Sequence, residues 1–324
     1  MKVVICTPAG REEYLQILKK NILTNPLVSE WHLWQNCRRL SDLHYLNKLK
    51  NSSNKIKIIE EIGADGTNKS VNRFYRHCNE ADTFYIKMDD DIVYMHPDAI
   101  ARLLTAAIEE RGRFLYWTPI VINNAISSAV LSAKGMLGTG KTLSAQANDN
   151  IAWKSPLFAK KLHSAFLDLL ESGRASKLLK DYRIPLGAQR FSINCIGFWG
   201  GDVLDLGENF CPPGVDDEEW ISAILPIKTG LPGRIIGNAL VAHYAFYTQE
   251  SYLNSDKTLL ARYAKLSLAD LNFSINKPPL KKILSSHFSA LKGYTMDYIN
   301  NKIGLYTASQ KANFFVKLGS RNEN

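Results

Sequence analysis

Phe84-Tyr85-Ile86-Lys87-Met88-Asp89-Asp90-Asp91 decides how this 324-residue chain is read. An apolar, β-prone run stops at three consecutive carboxylates. Ile92, Val93, Tyr94 and Met95 follow, then His96-Pro97-Asp98, and a helix is expected from about Ala99. Adjacent carboxylates at the end of a buried strand raise one another's pKa when unpaired. A divalent cation relieves that repulsion. Hard oxygen ligands suit Mg2+ or Mn2+, which share their other positions with waters and a substrate phosphate. Ligands of open α/β sheets sit at the carboxyl ends of the strands. The stretch therefore reads as a metal–diphosphate site, with a solvated polar turn as the plainer alternative.

Toward the amino end, Lys2 to Cys6 reads as a buried strand. Thr7-Pro8-Ala9-Gly10-Arg11 is a turn opening a helix from Glu12 to Asn21, with Tyr14, Leu15, Ile17 and Leu18 on its apolar side. Such a start leaves backbone N–H groups and Arg11 near the strand's carboxyl end, where a nucleotide can bind; a simple βα turn accounts for it equally. Trp31 to Trp34 is a second strand, ending in Gln35-Asn36, and Ile56 to Ile59 a third. Leu40 to Lys50 between them is a loop or short helix. The polar loop Gly63 to Asn68 leads into a helix from Lys69 to Cys78. Alternating strands and helices argue a parallel sheet flanked by helices.

Toward the carboxyl end, a helix is expected from Ala99 to Glu110 and a strand from Arg113 to Trp117, with Pro119 to Asn124 as a connection. Leu157 to Tyr182 has helical periodicity, broken near Ser172-Gly173. Phe191 to Trp199 reads as a strand ending in Gly200-Gly201-Asp202. The turn Cys211-Pro212-Pro213-Gly214 precedes Val215-Asp216-Asp217-Glu218-Glu219-Trp220 and a helix. Arg234 to His243 is a further strand. Gly135 to Thr142 matches the phosphate-binding pattern GxxxxGK[ST], which works only between a strand and a helix. Its flanks read as neither, so a P-loop nucleotidase stays a minor alternative.

Composition is ordinary for a soluble protein. The five cysteines are scattered and form no CxxC pair, so neither a disulfide framework nor a zinc site is indicated. The amino terminus enters a strand directly, and no stretch has the length and apolarity of a signal peptide or membrane span. A cytoplasmic location is expected. From Ser255 onward eleven basic residues face four acids, a net +7 out of +9 for the chain. That points to an anionic surface. After Pro278-Pro279, the residues Leu280, Ile283, Leu284, Phe288 and Leu291 fall at helical spacing with Lys281, Lys282 and Lys292 off that face. The segment is either a packed subdomain or an interfacial anchor.

The order of Asp89-Asp90-Asp91, then Asp216 to Glu219, then Val241-Ala242-His243 resembles the GT-A nucleotide-sugar glycosyltransferases over about Lys2 to Gln249. The Lys87-to-Asp91 run is similar to the Lys-x-Asp-Asp-Asp form of Fringe-like and β-1,3-galactosyltransferases. The resemblance implies an α/β, Rossmann-like GT-A fold: a mostly parallel sheet flanked by helices, with a C-terminal helical extension. The glycosyltransferase domain would span 1–253 and the basic extension 254–324. It implies Mn2+ or Mg2+ on Asp91, Asp89 and His243. A nucleotide sugar would lie against Thr7, Pro8, Arg11, Asn36, Lys69, Asn72, Asp89 and Asp90. Gly200, Gly201 and Asp202 would form a donor–acceptor loop. Asp217 would be the base, with Glu218 as alternative; Asp216 stands where the family begins this motif with Glu. Taken alone, His243 reads equally as a structural histidine and Asp217 as an ordinary acid at a helix start. The implied activity is inverting transfer from a UDP-linked donor to a hydroxyl of a glycan or lipid-linked glycan. The setting would be lipopolysaccharide or capsule synthesis at the inner face of a membrane, with no nucleic-acid partner. A catalytically silent GT-A glycan-binding module is the rival expectation.

Overall fold

The computed structural model describes residues 1–136 and 140–269. β1 (Lys2–Ala9) leads through α1 (Glu12–Leu23) to β2 (Glu30–Gln35), and α2 (Leu40–Lys50) leads on to β3 (Ile56–Ile59). β1 and β2 are parallel, as are β2 and β3. The chain then passes α3 (Asn68–Val71) and a 3₁₀ turn (Asn72–His77) and returns on the other side of β1 as β4 (Thr83–Met88), again parallel. The winding therefore reverses between β1 and β4. At such a switch point the loops leave the strands in opposite directions and open a crevice at the carboxyl ends.

The second half is mixed. In order come β5 (Ile92–Met95), α4 (Ala99–Glu109), β6 (Tyr116–Ile122), α5 (Ala125–Ala133), α6 (Pro156–Glu171), β7 (Arg183–Leu186), β8 (Cys195–Trp199) and α7 (Gly200–Leu206). They are followed by α8 (Asp217–Glu219), a π-helical stretch (Trp220–Ile224), α9 (Leu225–Thr229), β9 (Gly233–His243), α10 (Tyr247–Asn254) and α11 (Thr258–Ala269). The sheet runs β3-β2-β1-β4-β8-β6-β9-β5, with β7 on β9. β8 is antiparallel to β4 and β6, and β5 and β7 are antiparallel to β9, while β6 and β9 are parallel. The result is an α/β fold with a mixed sheet flanked by helices, consistent with a Rossmann-like GT-A architecture. The expectation of a mostly parallel sheet holds for its first four strands.

Several local expectations shift. The strand expected at Arg113–Trp117 starts at Tyr116 and runs through Pro119 to Ile122. A register shift against β9 falls between Pro119 and Ile120, and such an irregularity is where a strand accommodates a residue without an N–H. β5 and β7 are short strands that the sequence did not announce, and β8 begins at Cys195 rather than Phe191. Gly135 follows α5, a helix and not a strand, which removes the setting that a P-loop needs.

Alternation along β4 feeds two cores. Phe84, Ile86 and Met88 join Ile5, Leu33 and Leu18 on one face, while Tyr85 joins Val4, Cys6 and Phe198 on the other. Gly197 of β8 is opposite Ile86, and a Cβ there would overlap the Phe84 ring; only glycine lets that ring lie across the neighbouring strand. α11 belongs to this compact unit, which spans Met1–Leu271. Arg262 pairs with Asp168 and Glu171, and the Tyr263 hydroxyl meets His163 Nδ1 at 2.7 Å. Packing therefore continues past residue 253. The amphipathic segment after Pro279 lies outside the described residues. Among the described residues, no helix is long and apolar enough to cross a membrane.

Candidate metal and acid site

The acidic run lies where β4 hands over to β5, at the switch-point crevice. The Asp89 N–H donates to Asn194 O (2.9 Å), and the Ile92 N–H donates back to Asp89 O (3.3 Å), closing a tight turn. Ile92 is then the register partner of His243 on β9, and the Tyr244 N–H donates to Asp91 O (2.9 Å). Strand register, not sequence proximity, brings Asp91 and His243 together. Ligand atoms of Asp89, Asp91 and His243 all lie within 4.8 Å of one another.

The bonding of these three groups limits what they can do. The Asn123 carbonyl lies 3.1 Å from His243 Nδ1, and a carbonyl can only accept. Nδ1 therefore carries a proton, and Nε2, 3.3 Å from Asp91 Oδ2, is the nitrogen turned to the carboxylate. Two lone pairs face each other there unless a proton or a cation sits between them. Burial works against a charged imidazole, but the Asp91 carboxylate raises the His243 pKa above its ordinary value. Burial likewise opposes the Asp91 charge, and Arg11 and His243 outweigh it, holding that carboxyl well below the usual range. Asp91 Oδ1 is buried with no hydrogen-bond partner. An orphaned carboxylate oxygen beside a second carboxylate and an imidazole suits a divalent ion such as Mn2+ or Mg2+. Asn123 is the one described non-glycine residue with positive φ, at 61°, and this conformation sits where its carbonyl fixes His243.

Asp90 and Arg11 form a separate unit. Asp90 accepts from the Gly10 N–H (3.1 Å) and from the Arg11 guanidinium, which also reaches Asp91 Oδ2 (3.0 Å) and Glu250 (3.3 Å). Arg11, expected on the nucleotide side, is the counter-ion that ties the end of β1 to the acidic turn and to α10. Asp90 is saturated by it and stays out of the three-residue cluster.

Asp217 opens α8, its neighbour Asp216 capping the helix by accepting from the Glu219 N–H (3.0 Å). Asp217 is buried and accepts from the Tyr75 hydroxyl at 3.1 Å. Burial pushes its pKa up from 3.8 to about 6, against the pull of Lys87. Glu218, the alternative, is engaged by Arg190 Nε at 2.7 Å, and Arg190 also holds Asp216 at 3.0 Å. The Asn72 amide donates to Val215 O (2.7 Å) and so pins this acid loop. Immediately after α8 comes the π-helical stretch, a feature often found at functional sites.

The other expected positions divide. Asn36 accepts from the Gly66 N–H and the Ser70 hydroxyl and donates to Thr67 O, so it braces the loop leading to α3. Pro8 is half-buried near the end of β1, and Lys69 is exposed on α3. Thr7 is fully buried and accepts from the Trp31 indole at 3.0 Å. Because β1 extends to Ala9, Thr7 has no surface to offer a nucleotide. Gly200, Gly201 and Asp202 are not at the site. β8 is antiparallel to β4, with Cys195 beside Met88 and Trp199 beside Phe84, so these three lie at the far end of the sheet. There the Gly201 N–H donates to Ala81 O, and a Cβ on Gly200 would strike Glu80. The end of this segment that meets the acids is its start, where Asn194 Nδ2 donates to Asp89 Oδ2 at 3.1 Å.

Sequence reasoning missed Lys87 as an actor, although it stands in the motif. Its ammonium is buried and donates to Asp89 Oδ1 and to Ile193 O (3.0 Å). Burial opposes its charge, but Asp89 and Asp217 hold it protonated. A charged residue in an otherwise apolar strand was the available signal. Asn194, Tyr75, Asn123 and Arg190 carried no comparable mark.

No family model matches the chain, and no curated protein sequence matches it. Among solved structures it is similar to the mannosyltransferase PcManGT from Pyrobaculum calidifontis in complex with GDP-Man and Mn2+. That match has 13% identity and a TM-score of 0.44, covering 92% of this chain and 83% of that one. It is also similar to the inositol-1-phosphate CTP transferase from T. maritima, at 10% identity and a TM-score of 0.41 over 81% of this chain and 96% of that one. The likeness to 2-C-methyl-D-erythritol 4-phosphate cytidylyltransferase from Francisella tularensis has 14% identity and a TM-score of 0.28 over 37% of this chain; this chain spans 58% of that enzyme's length.

Proposed function

We propose that this chain is a metal-dependent, inverting glycosyltransferase that moves a sugar from a nucleotide-sugar donor, UDP-linked by preference, to a hydroxyl of a glycan or lipid-linked glycan. The observation that carries the proposal is the triad of Asp89, Asp91 and His243, with ligand atoms within 4.8 Å and Asp91 Oδ1 unpartnered. In this reading the triad would hold Mn2+ or Mg2+, which as a Lewis acid offsets the charge of a departing diphosphate. Asn123 keeps Nδ1 of His243 protonated so that Nε2 is free to ligate. Lys87 and Asn194 fix Asp89 from two sides. Asp217 takes the proton of the attacking hydroxyl, and a pKa of about 6 makes it a stronger base than an ordinary carboxylate while leaving it ionised at neutral pH. Asn36, Asn72 and Lys69 are the candidates on the nucleotide side.

The test is a thermal-shift panel of nucleotide sugars with and without Mn2+, since a ligand that binds only the folded state stabilises it by RT ln(1 + [L]/Kd). A shift that needs both donor and Mn2+ supports the reading. Absence of any Mn2+-dependent shift removes it. One observation favours the silent glycan-binding module: Arg11 already places a positive charge on Asp91. Mn2+-dependent donor hydrolysis excludes that module. The basic extension is proposed separately as an interfacial anchor, with a packed subdomain as the alternative, and full-length protein that ignores anionic vesicles at low salt would end the anchor reading alone.

A further inference from the structure

On the rim of the triad, aromatic rings form a chain that no step above uses. The His243 ring lies 4.8 Å from that of Phe246, Phe246 lies 6.3 Å from Trp153, and Trp153 lies 5.3 Å from Tyr247, edge to face. Phe246 is buried, Trp153 is half-buried, and Tyr247 is 76% exposed at the first position of α10. Exposed aromatics scattered singly need no explanation. This one ends a continuous row that starts at His243.

The row is also held rigidly. The Thr248 hydroxyl donates to Trp153 O at 2.7 Å, and Gln249 Nε2 donates to Ala152 O (3.1 Å) and Trp153 O (3.0 Å). Gln249 is fully buried, and its Oε1 accepts from Asn123 Nδ2 (2.9 Å), the residue whose carbonyl fixes His243. One turn along α10 from Tyr247, the Glu250 carboxylate is partly exposed and oriented by Arg11. Three side chains thus lock the Trp153 loop to α10 and to the residue that fixes His243, leaving the Tyr247 ring exposed one turn from an oriented carboxylate.

That combination suits a sugar ring. A pyranose ring presents an apolar face of C–H groups and a rim of hydroxyl donors; an aromatic face takes the first and a carboxylate the second. We propose that the exposed Tyr247 ring, braced edge to face by Trp153, is a stacking platform for a sugar ring, with Glu250 accepting from its hydroxyls. The proposal rests on the transferase reading for that ring's role as the acceptor glycan; ring binding itself does not need it.

The experiment is saturation-transfer NMR on the full chain with methyl glycosides of glucose, galactose and N-acetylglucosamine, in wild type, Tyr247→Ala and Tyr247→Phe. At least one glycoside is expected to receive saturation through its ring C–H protons. Tyr247→Ala is expected to weaken that binding by about five- to tenfold, the scale of one lost aromatic contact, while Tyr247→Phe keeps it. No transfer to any glycoside, or transfer unchanged in Tyr247→Ala, overturns the platform. Glycoside binding without any Mn2+-dependent donor binding leaves the platform standing and sinks the transferase reading.

Discussion

Replacing Asp217 by Asn should make the protein more stable, and by an amount that depends on pH. The carboxyl is buried, and its pKa is raised from 3.8 to about 6. A group whose pKa is raised by folding favours the folded state below its unfolded value, and that contribution is lost as pH rises through the folded value. Above pH 6 the wild type therefore carries a buried charge that costs it about 3 kcal/mol, from about two pKa units at 1.36 kcal/mol each. Asparagine has nearly the same shape, can still accept from the Tyr75 hydroxyl, and does not ionise. Asp217→Asn should gain about 2–3 kcal/mol at pH 8 and close to nothing at pH 4. In a domain of this size that is a rise of roughly 3–6 °C in Tm at pH 8. Urea unfolding of both proteins at pH 4, 6 and 8 measures the difference without knowledge of any substrate. A variant no more stable than wild type at pH 8, or a gain that does not grow with pH, would mean that Asp217 is not a strained acid. The case for it as the base would then fall too, because a residue shaped for folding has no reason to bear that cost.

Asp91→Asn should lower Mn2+ affinity by more than about 100-fold and His243→Ala by about tenfold, as read by the EPR signal of free Mn2+; equal affinity in Asp91→Asn removes the triad. His163 is buried between Tyr263 and the Tyr244 carbonyl, and burial lowers its pKa from 6.5 to about 4. Because that pKa is depressed, its neutral form supports the fold above pH 6.5, and about 3 kcal/mol of stability is lost as pH falls through 4. Unfolding free energy should drop less steeply over that range in His163→Gln; identical slopes would rule the residue out as the titrating group. Gly197→Ala should cost about 1–3 kcal/mol by driving a methyl into the Phe84 ring, and a denaturation midpoint unchanged from wild type would show that the ring yields freely.

The parts of this molecule that were legible are those whose signal is local. A run of apolar residues ended by Asp89, Asp90 and Asp91 marks a strand and a candidate metal-binding end in one stretch. The alternation of β1, β2 and β3 with helices marks the parallel half. Antiparallel pairing leaves no such signature. Nothing in Cys195 to Trp199 says that it runs against β4, and that reversal carried Gly200 to the wrong end and brought Asn194 to the acids. Pro119 read as a break because a proline cannot donate to a ladder, yet the register shift beside it absorbs the missing N–H. Arg11 stands beside the acidic turn, but its partners come from β4 and α10, which only the assembled fold brings to it. Asn123 is recognisable only by its backbone angle.

The pairing of Ile92 with His243 has a consequence for the order in which the molecule is built. It joins positions about 150 residues apart, among the most costly loops to close, and side chains on a strand change face with a one-residue slip. The imidazole meets the carboxylate only after β9 has reached its place and in the right frame. An ion that bridges the two can therefore act only on chains that have nearly finished folding. In stopped-flow experiments Mn2+ should leave the refolding rate unchanged and slow unfolding, the pattern of an interaction absent from the transition state.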